Sequence, residues 1–329
     1  MPFGRDMPYG RDGLRPTNPN LKGTAMFYTL TLNPALDYIV RLPAIREGQT
    51  NRAVSTELQF GGKGVNVSLV LTELGIPSVA LGFAAGFTGA ALTAYLTERG
   101  IHADFIPLPE GLTRINIKLK TPEGAHPETE INASGPAIPA ASMEALYARL
   151  DTLTAGDTLV LAGSIPTSLS KDTYRSLMER LDGRGIRVVV DAEGALLTET
   201  LPYRPYLIKP NRAELEGIMG HSLPTEKELK VAAAEMQKRG ARNVLVSLGG
   251  EGALLLDENG AYHRAYALPV VPVNTVGAGD STVAGFLAGI GRGYGYALKL
   301  AMACGGATAA GEGLATRESI ERMMEEIEW

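Results

Sequence analysis

From Ser78 onward the chain alternates short apolar, β-branched runs with segments of helical period, and that alternation leaves few folds open. Strand 78–83 leads to helix 88–99 and strand 102–106; helix 140–150, strand 158–162, helix 170–183 and strand 186–190 follow. Strand 206–208 then runs into helix 211–218, and a helix around 225–239 precedes strands 243–247 and 252–256. Phe27–Leu32 reads as the first core strand. Strands joined through helices lie parallel, and a parallel sheet needs both faces covered. The expected fold is therefore an α/β sandwich of three layers around a mostly parallel central sheet. Two interruptions, about 37–60 and 112–135, alternate apolar and polar residues instead, with strands at Thr113–Lys120 and Thr129–Asn132. They would form a small antiparallel β layer outside the main sheet, placed as a lid.

The chain has 329 residues, enough for one large α/β domain or two small ones. Its first 25 residues stand apart, because Pro2–Asp6 is nearly repeated as Pro8–Asp12 and Gly, Pro, Asn and Arg dominate. Such a stretch cannot bury enough apolar surface to order itself. It reads as a disordered leader foreign to the domain, which is expected to span 26–329. A net charge of −5 argues against nucleic acid as a partner, since no basic surplus exists to neutralise phosphates. The lone cysteine, Cys304, sits in Ala-Met-Ala-Cys-Gly-Gly and reads as a small core residue in a reducing compartment. His102, His126, His221 and His263 show no metal-ligand spacing. No apolar run reaches membrane-spanning length and no signal peptide is visible, so a soluble, cytoplasmic protein is expected.

Chemistry concentrates in a few stretches. Val271–Val276 reads as a strand end, Gly277-Ala278-Gly279 as a tight turn, and an apolar helix-like segment follows from Ser281. Free amides at a helix N-terminus favour an anion, and Asp280 in that turn cannot be that anion. Two readings are open for Asp280: a cap for the helix, or a base taking a proton from a hydroxyl that attacks a phosphoryl group held over the amides. An ordinary aspartate is ionised at neutral pH, with a pKa of about 3.9, and would need no tuning for that role. Gly61-Gly62-Lys63-Gly64-Val65-Asn66 precedes an amphipathic helix and matches neither a Walker A loop nor a dinucleotide fingerprint. There Lys63 and Asn66 offer a cation and an amide to a polar ligand. Pro34 breaks the first strand, and Asp37 stands at the turn as a crevice carboxylate or an ordinary turn residue.

Arg114 and Lys118 are four apart, hence on one strand face, either for an anionic substrate or simply solvated. Asn211 and Glu214 have capping-box spacing behind Lys209-Pro210, and the same pair could orient a hydrated Mg²⁺. Ser247-Leu248-Gly249-Gly250-Glu251-Gly252 links two strands, as a plain hairpin turn or a loop against nucleotide phosphates.

Taken in order, these segments resemble the PfkB-type, ribokinase-like carbohydrate kinases over Met26–Trp329. The late family signature is similar to Asn274–Gly285, the early one to Gly61–Asn66, the N-x-x-E motif to Asn211 and Glu214, and the nucleotide loop to Ser247–Gly252. Thr29–Asp37, Asn51-Arg52, Thr113-Arg114 and Ser247–Gly250 look like the branch that phosphorylates fructose 1-phosphate or tagatose 6-phosphate. Phe87-Thr88-Gly89, Arg114–Lys118, Thr129–Asn132 and Glu312–Thr316 lean towards the former. Two positions depart from the family pattern. Asn132-Ala133-Ser134-Gly135-Pro136 lacks the usual glutamate, and Asn274 stands where many relatives have Asp.

The resemblance implies a ribokinase-like sandwich with a β lid, and ATP-dependent phosphorylation of fructose 1-phosphate to fructose 1,6-bisphosphate. Asp280 would be the base, and the Gly277, Ala278 and Gly279 amides the anion cradle. Asp37, Gly62, Lys63, Asn66 and Arg114 would hold the sugar phosphate. Lys209, Asn211, Ser247, Gly249, Gly250, Gly252 and Gly279 would contact ATP, with Asn211 and Glu214 positioning Mg²⁺ through water. A homodimer through the lid is expected, its exposed strands pairing with a second copy. A tagatose-6-phosphate kinase or a 6-phosphofructokinase is the alternative within the family. A non-catalytic sugar-phosphate sensor is expected to have lost Asp280, a turn glycine or the N-x-x-E pair, and this chain keeps all of them.

Overall fold

The computed structural model describes residues 25–122 and 128–327. All but the last residue of the expected leader, the centre of the second lid segment (123–127, with His126) and residues 328–329 lie outside the described residues.

The chain enters through β1 (Phe27–Thr31), β2 (Ala35–Arg41) and β3 (Ser55–Gly61) and continues with α1 (Lys63–Glu73), β4 (Ser78–Ala85) and α2 (Gly86–Glu98). It passes through β5 (His102–Leu108), β6 (Arg114–Lys120), β7 (Glu128–Ile131), α3 (Ala140–Leu150) and β8 (Thr158–Ala162). Next come α4 (Thr173–Leu181), β9 (Arg187–Asp191), α5 (Gly194–Thr198), β10 (Leu207–Ile208), α6 (Arg212–Met219), α7 (Glu226–Lys238) and β11 (Asn243–Ser247). It closes with β12 (Ala253–Leu256), β13 (Tyr262–Ala265), α8 (Ala278–Gly289), α9 (Tyr294–Ala310) and α10 (Arg317–Glu326).

Among the described residues the main sheet has nine strands in the order β13-β12-β11-β10-β9-β8-β1-β4-β5. All neighbours pair in parallel except β11–β12 and β12–β13, which add an antiparallel edge. Successive residues of its central strands serve opposite faces. Leu159 and Leu161 join Tyr28, Leu30, Leu146 and Leu177 on one face, while Val160 joins Val189, Leu207, Val283 and Phe286 on the other. That is why these strands read as unbroken apolar runs, and burying each such side chain contributes about 1.5–3 kcal/mol. The three-layer α/β/α sandwich with its separate β layer is thus the architecture the chain adopts.

The second sheet has the order β3-β2-β6-β7. Its β2–β3 and β6–β7 pairs are antiparallel, but β2 and β6 are parallel, so the layer is mixed rather than purely antiparallel. The reason is topological: β2 and β6 belong to the two separate excursions, and each leaves the main sheet in the same direction. Asp37 lies inside β2 and not at a turn, because Pro34 ends β1 and the chain re-enters extended structure at Ala35.

Two other expectations change, and further elements appear that carried none. Val271–Val273 forms no strand, since Pro269 and Pro272 interrupt any ladder; instead the Val273 and Asn274 amides donate to the Ala309 carbonyl at the end of α9. The following helix begins at Ala278, three residues earlier than Ser281, so Asp280 belongs to its first turn. Helix α9 showed no 3.6-residue period because it is apolar nearly all round, packed against α8 where Gly285 admits the Leu300 carbonyl. The short α5, β13 and the amphipathic α10, capped by Thr316 and Ser319, complete the elements that sequence periodicity left unassigned.

Candidate active site

A cleft of about 1370 Å³ runs between the C-terminal ends of the parallel strands and the inner face of the second sheet. Thr31 at the end of β1, Asn33 just after it, Gly163 after β8, Asp191 at the end of β9, Lys209 after β10 and Ser247 at the end of β11 all reach its wall. This edge, where the strand order reverses around β1, is where open α/β sheets take ligands.

Asp280 anchors the cleft. Gly277 is the N-cap of α8 with φ +83°, a conformation disfavoured for other residues, and a Cβ there would lie 2.5 Å from Leu314 Cδ2. The helix has no side-chain cap, so the capping reading of Asp280 does not hold. Instead its Oδ2 accepts from Asn66 Nδ2 at 2.7 Å. The side chain is buried, and burial, followed by repulsion from Asp191, pushes its pKa up to about 6; Asn66, Lys209 and Lys63 pull the other way. Asp280 is therefore tuned towards neutrality, contrary to the expectation of an ordinary aspartate, and the cause is desolvation in the helix-packed floor.

Asp191 is the residue that sequence reading missed. Its Oδ1 lies 3.6 Å from Lys63 Nζ and 3.4 Å from Lys209 Nζ, while its buried Oδ2 has no hydrogen-bond partner. Burial works against the Lys63 cation, but Asp191, then Asp280, Glu214 and Glu193, raise its pKa overall. The available signal was an aspartate ending an apolar strand at the C-terminal edge of a parallel sheet, the criterion applied to Asp37. Gly279 leaves the space in which Lys209 approaches α8, since a Cβ there would lie 2.9 Å from Lys209 Nζ.

On the second sheet, Asp37, Arg114, Asn116, Lys118 and Glu130 share the face that looks into the cleft. Asp37 accepts from Asn116 Nδ2 at 2.8 Å and faces Lys118 Nζ at 3.0 Å. Arg114 has a buried Nε without a partner and one long contact, 3.4 Å from Nη1 to the Ala133 carbonyl; burial lowers its pKa, opposed by Asp37. Gly62 and Lys63 open α1 beneath this face.

At the other end, Asn211 caps α6 by accepting from the Glu214 amide at 2.8 Å, and the Asn211 amide groups donate back to both Glu214 carboxylate oxygens. The capping box is therefore formed. Ser247 bridges in parallel to Asn211, which brings the N-x-x-E turn beside the loop after β11. Gly249, Gly250 and Gly252 lie in that hairpin loop beyond the cleft wall, where the Leu248 amide donates to the Gly252 carbonyl. Among the described residues no three His, Cys, Asp or Glu side chains converge on a metal position. Glu214, together with the unpartnered Asp191 oxygen, is a donor set that fits Mg²⁺, which keeps several waters and needs few carboxylates. Cys304 is buried in the core, which pushes its thiol up to about 12, and no helix among the described residues is long and apolar enough to cross a membrane.

The cleft thus brings together a buried carboxylate with raised proton affinity, three lysines, a helix N-terminus and a guanidinium with a single long contact. Comparison with known proteins places the chain in a family. Residues 30–321 match the pfkB family carbohydrate kinase model. The 1-phosphofructokinase of Bacillus subtilis is 40% identical over 304 residues, covering 92% of this chain and 98% of the relative. The D-tagatose-1-phosphate kinase of Bacillus licheniformis is 34% identical, covering 92% and 99%. The crystal structure of Escherichia coli phosphofructokinase-2 in complex with substrates and products superposes with TM-score 0.86 at 27% identity, covering 92% and 99%.

Proposed function

The chain belongs to the pfkB family of carbohydrate kinases, and from that premise we propose that it transfers the γ-phosphoryl group of ATP to the free primary hydroxyl of fructose 1-phosphate. The observation that carries the chemistry is Asp280: buried, held by Asn66, and in the first turn of a helix whose N-terminal residues line the cleft. Its carboxylate accepts the hydroxyl proton as the oxygen attacks in line, and a proton affinity near neutrality suits that task. The Ala278 amide donates to the Thr275 carbonyl at 3.3 Å, whereas those of Gly277, Gly279 and Asp280 have no partner within the helix and stabilise the charge developing on the transferred group. Lys63 and Lys209 neutralise that charge further. Asp37, Gly62, Lys63 and Asn66 hold the sugar, and Arg114 takes its phosphate as a charge-assisted donor. Lys209, Asn211, Ser247 and the Gly249–Gly252 loop receive the nucleotide. Mg²⁺, held through water by Asn211 and Glu214 with Asp191 offering a further oxygen, would supply neutralisation of the phosphate charge.

The same reading includes a homodimer. The outer face of the second sheet carries Tyr38, Leu58, Ile115 and Ile131, which are 39%, 47%, 39% and 55% exposed. Leu58, Tyr38, Ile117 and Ile131 form one row across the four strands, with Ile115 two residues along β6, making an apolar face that a second copy would cover.

The substrate choice rests on relatives named for 1-phosphofructokinase, and one named for D-tagatose-1-phosphate kinase gives the second reading. The test is ADP release with MgATP and a panel of fructose 1-phosphate, fructose 6-phosphate, tagatose 1-phosphate, tagatose 6-phosphate and unphosphorylated fructose. Fructose 1-phosphate is expected to lead in kcat/KM by tenfold or more, about 1.4 kcal/mol. A lead by tagatose 1-phosphate would move the enzyme to the second reading. Sugar-phosphate binding without ADP release would make it a sensor.

A further inference from the structure

Arg114 and Lys118 are two cations on one face of β6, and the fold uses them differently. Arg114 keeps a buried Nε free of any partner. The Lys118 side chain is only 6% exposed, and its Nζ lies 3.0 Å from Asp37 Oδ2 and 3.7 Å from Glu130 Oε1. Asn116, directly opposite Asp37 in the β2–β6 register, donates to Asp37 Oδ1 at 2.8 Å and accepts from the Ala133 amide at 3.2 Å. Each oxygen of Asp37 therefore has one partner on β6.

We infer that Lys118 is a positioning residue: with Asn116 it fixes the Asp37 carboxylate against the cleft and cancels its charge towards an incoming sugar phosphate, leaving Arg114 for the phosphate itself. The inference rests on the functional reading above. A carboxylate has about four acceptor positions, so two remain for sugar hydroxyls once Lys118 and Asn116 have taken one each. The fixed orientation matters because a freely rotating acceptor gives up part of its binding to ordering. The charge matters as well. Asp37, Glu130, Arg114 and Lys118 sum to zero on this face, whereas without Lys118 the phosphate would meet a net negative wall. Glu130 on the edge strand β7 makes the second contact that keeps Lys118 turned inward.

The test is a double-mutant cycle between Asp37→Asn and Lys118→Met, read as calorimetric Kd for fructose 1-phosphate and as KM and kcat for both substrates. Lys118→Met alone is expected to raise Kd and KM for the sugar phosphate about tenfold or more, as loss of supporting partners does around other binding groups, with KM for ATP unchanged. In the Asp37→Asn background the same change should add less than about threefold, because Lys118 acts through Asp37. Asn116→Ser, which removes the other support without stranding a charge, should raise the same KM; it serves if Lys118→Met folds poorly. Additive losses would mean that Lys118 contacts the phosphate itself and would overturn the inference. So would a lowered Tm with unchanged KM. A wild-type protein that binds no sugar phosphate would instead overturn the functional reading, a result visible before any variant is made.

Discussion

The side-chain amide of Asn66 donates to Asp280 Oδ2 at 2.7 Å, joining two positions 214 residues apart. One belongs to the glycine-rich entry of α1 and the other to the first turn of α8, and these helices pack together on the same side of the sheet. The contact fixes the carboxylate while leaving its second oxygen for a proton.

Asp280→Asn is expected to lower kcat by about 10²–10⁴ with a small change in KM for either substrate, because only the proton acceptor is lost. Steady-state kinetics on the purified variant decide it. Near-normal turnover would remove Asp280 from the chemistry.

Activity should fall on the acid side with a midpoint near pH 6, where Asp280 becomes protonated. Repulsion from Asp191 is the second cause of that raised value, after burial. Asp191→Asn is therefore expected to move the acid limb of the kcat/KM profile to lower pH. A limb that stays in place would show that Asp191 does not tune the base.

The same burial carries a stability cost with a defined sign. The folded pKa of Asp280 is raised above its ordinary value, so the folded state holds this proton more tightly. Its contribution favours folding below about pH 4 and is lost as pH rises through about 6. Asp280→Asn should be more stable than wild type at pH 8, by on the order of 2 kcal/mol, and should lose that margin as pH falls towards 4. Urea titrations at the two pH values check this, and an equal margin at both would contradict it.

Arg114→Ala is expected to raise KM for the phosphorylated sugar by roughly tenfold to a hundredfold, the worth of a charge-assisted contact, with kcat and KM for ATP little changed. An unphosphorylated sugar should show no such difference between wild type and variant. An unchanged KM would sink the assignment of Arg114 to the phosphate.

Placing a charge on the outer face of the lid, as in Leu58→Glu or Ile131→Lys, is expected to turn a dimer into monomers by light scattering. Wild-type protein that is already monomeric at micromolar concentration would contradict the proposed use of that face.

Much of this molecule was legible in its residues. Alternation of apolar runs with helical segments specified the parallel sheet and its two helical layers, because strand and helix periods are local properties of the chain. The glycine motifs marked both helix entries of the cleft, since tight turns leave few residue choices. Elements packed on all sides, such as α9, left no period to read, and Val271–Val273 read as a strand because apolar content alone does not reveal where two prolines break a ladder.

Local pattern thus determined the architecture and named Asp280, Lys63 and Asn66 as polar groups at helix entries, and Arg114 as a cation on the smaller β layer. Only the tertiary structure decided that Asp280 is buried and tuned, that Asp191 joins Lys63 to Lys209, and that Lys118 turns to Asp37 while the Arg114 Nε keeps no partner. Proton affinity and ion pairing depend on what surrounds a group in space. Those neighbours come from strands and helices far apart in the chain, where sequence spacing carries no distance.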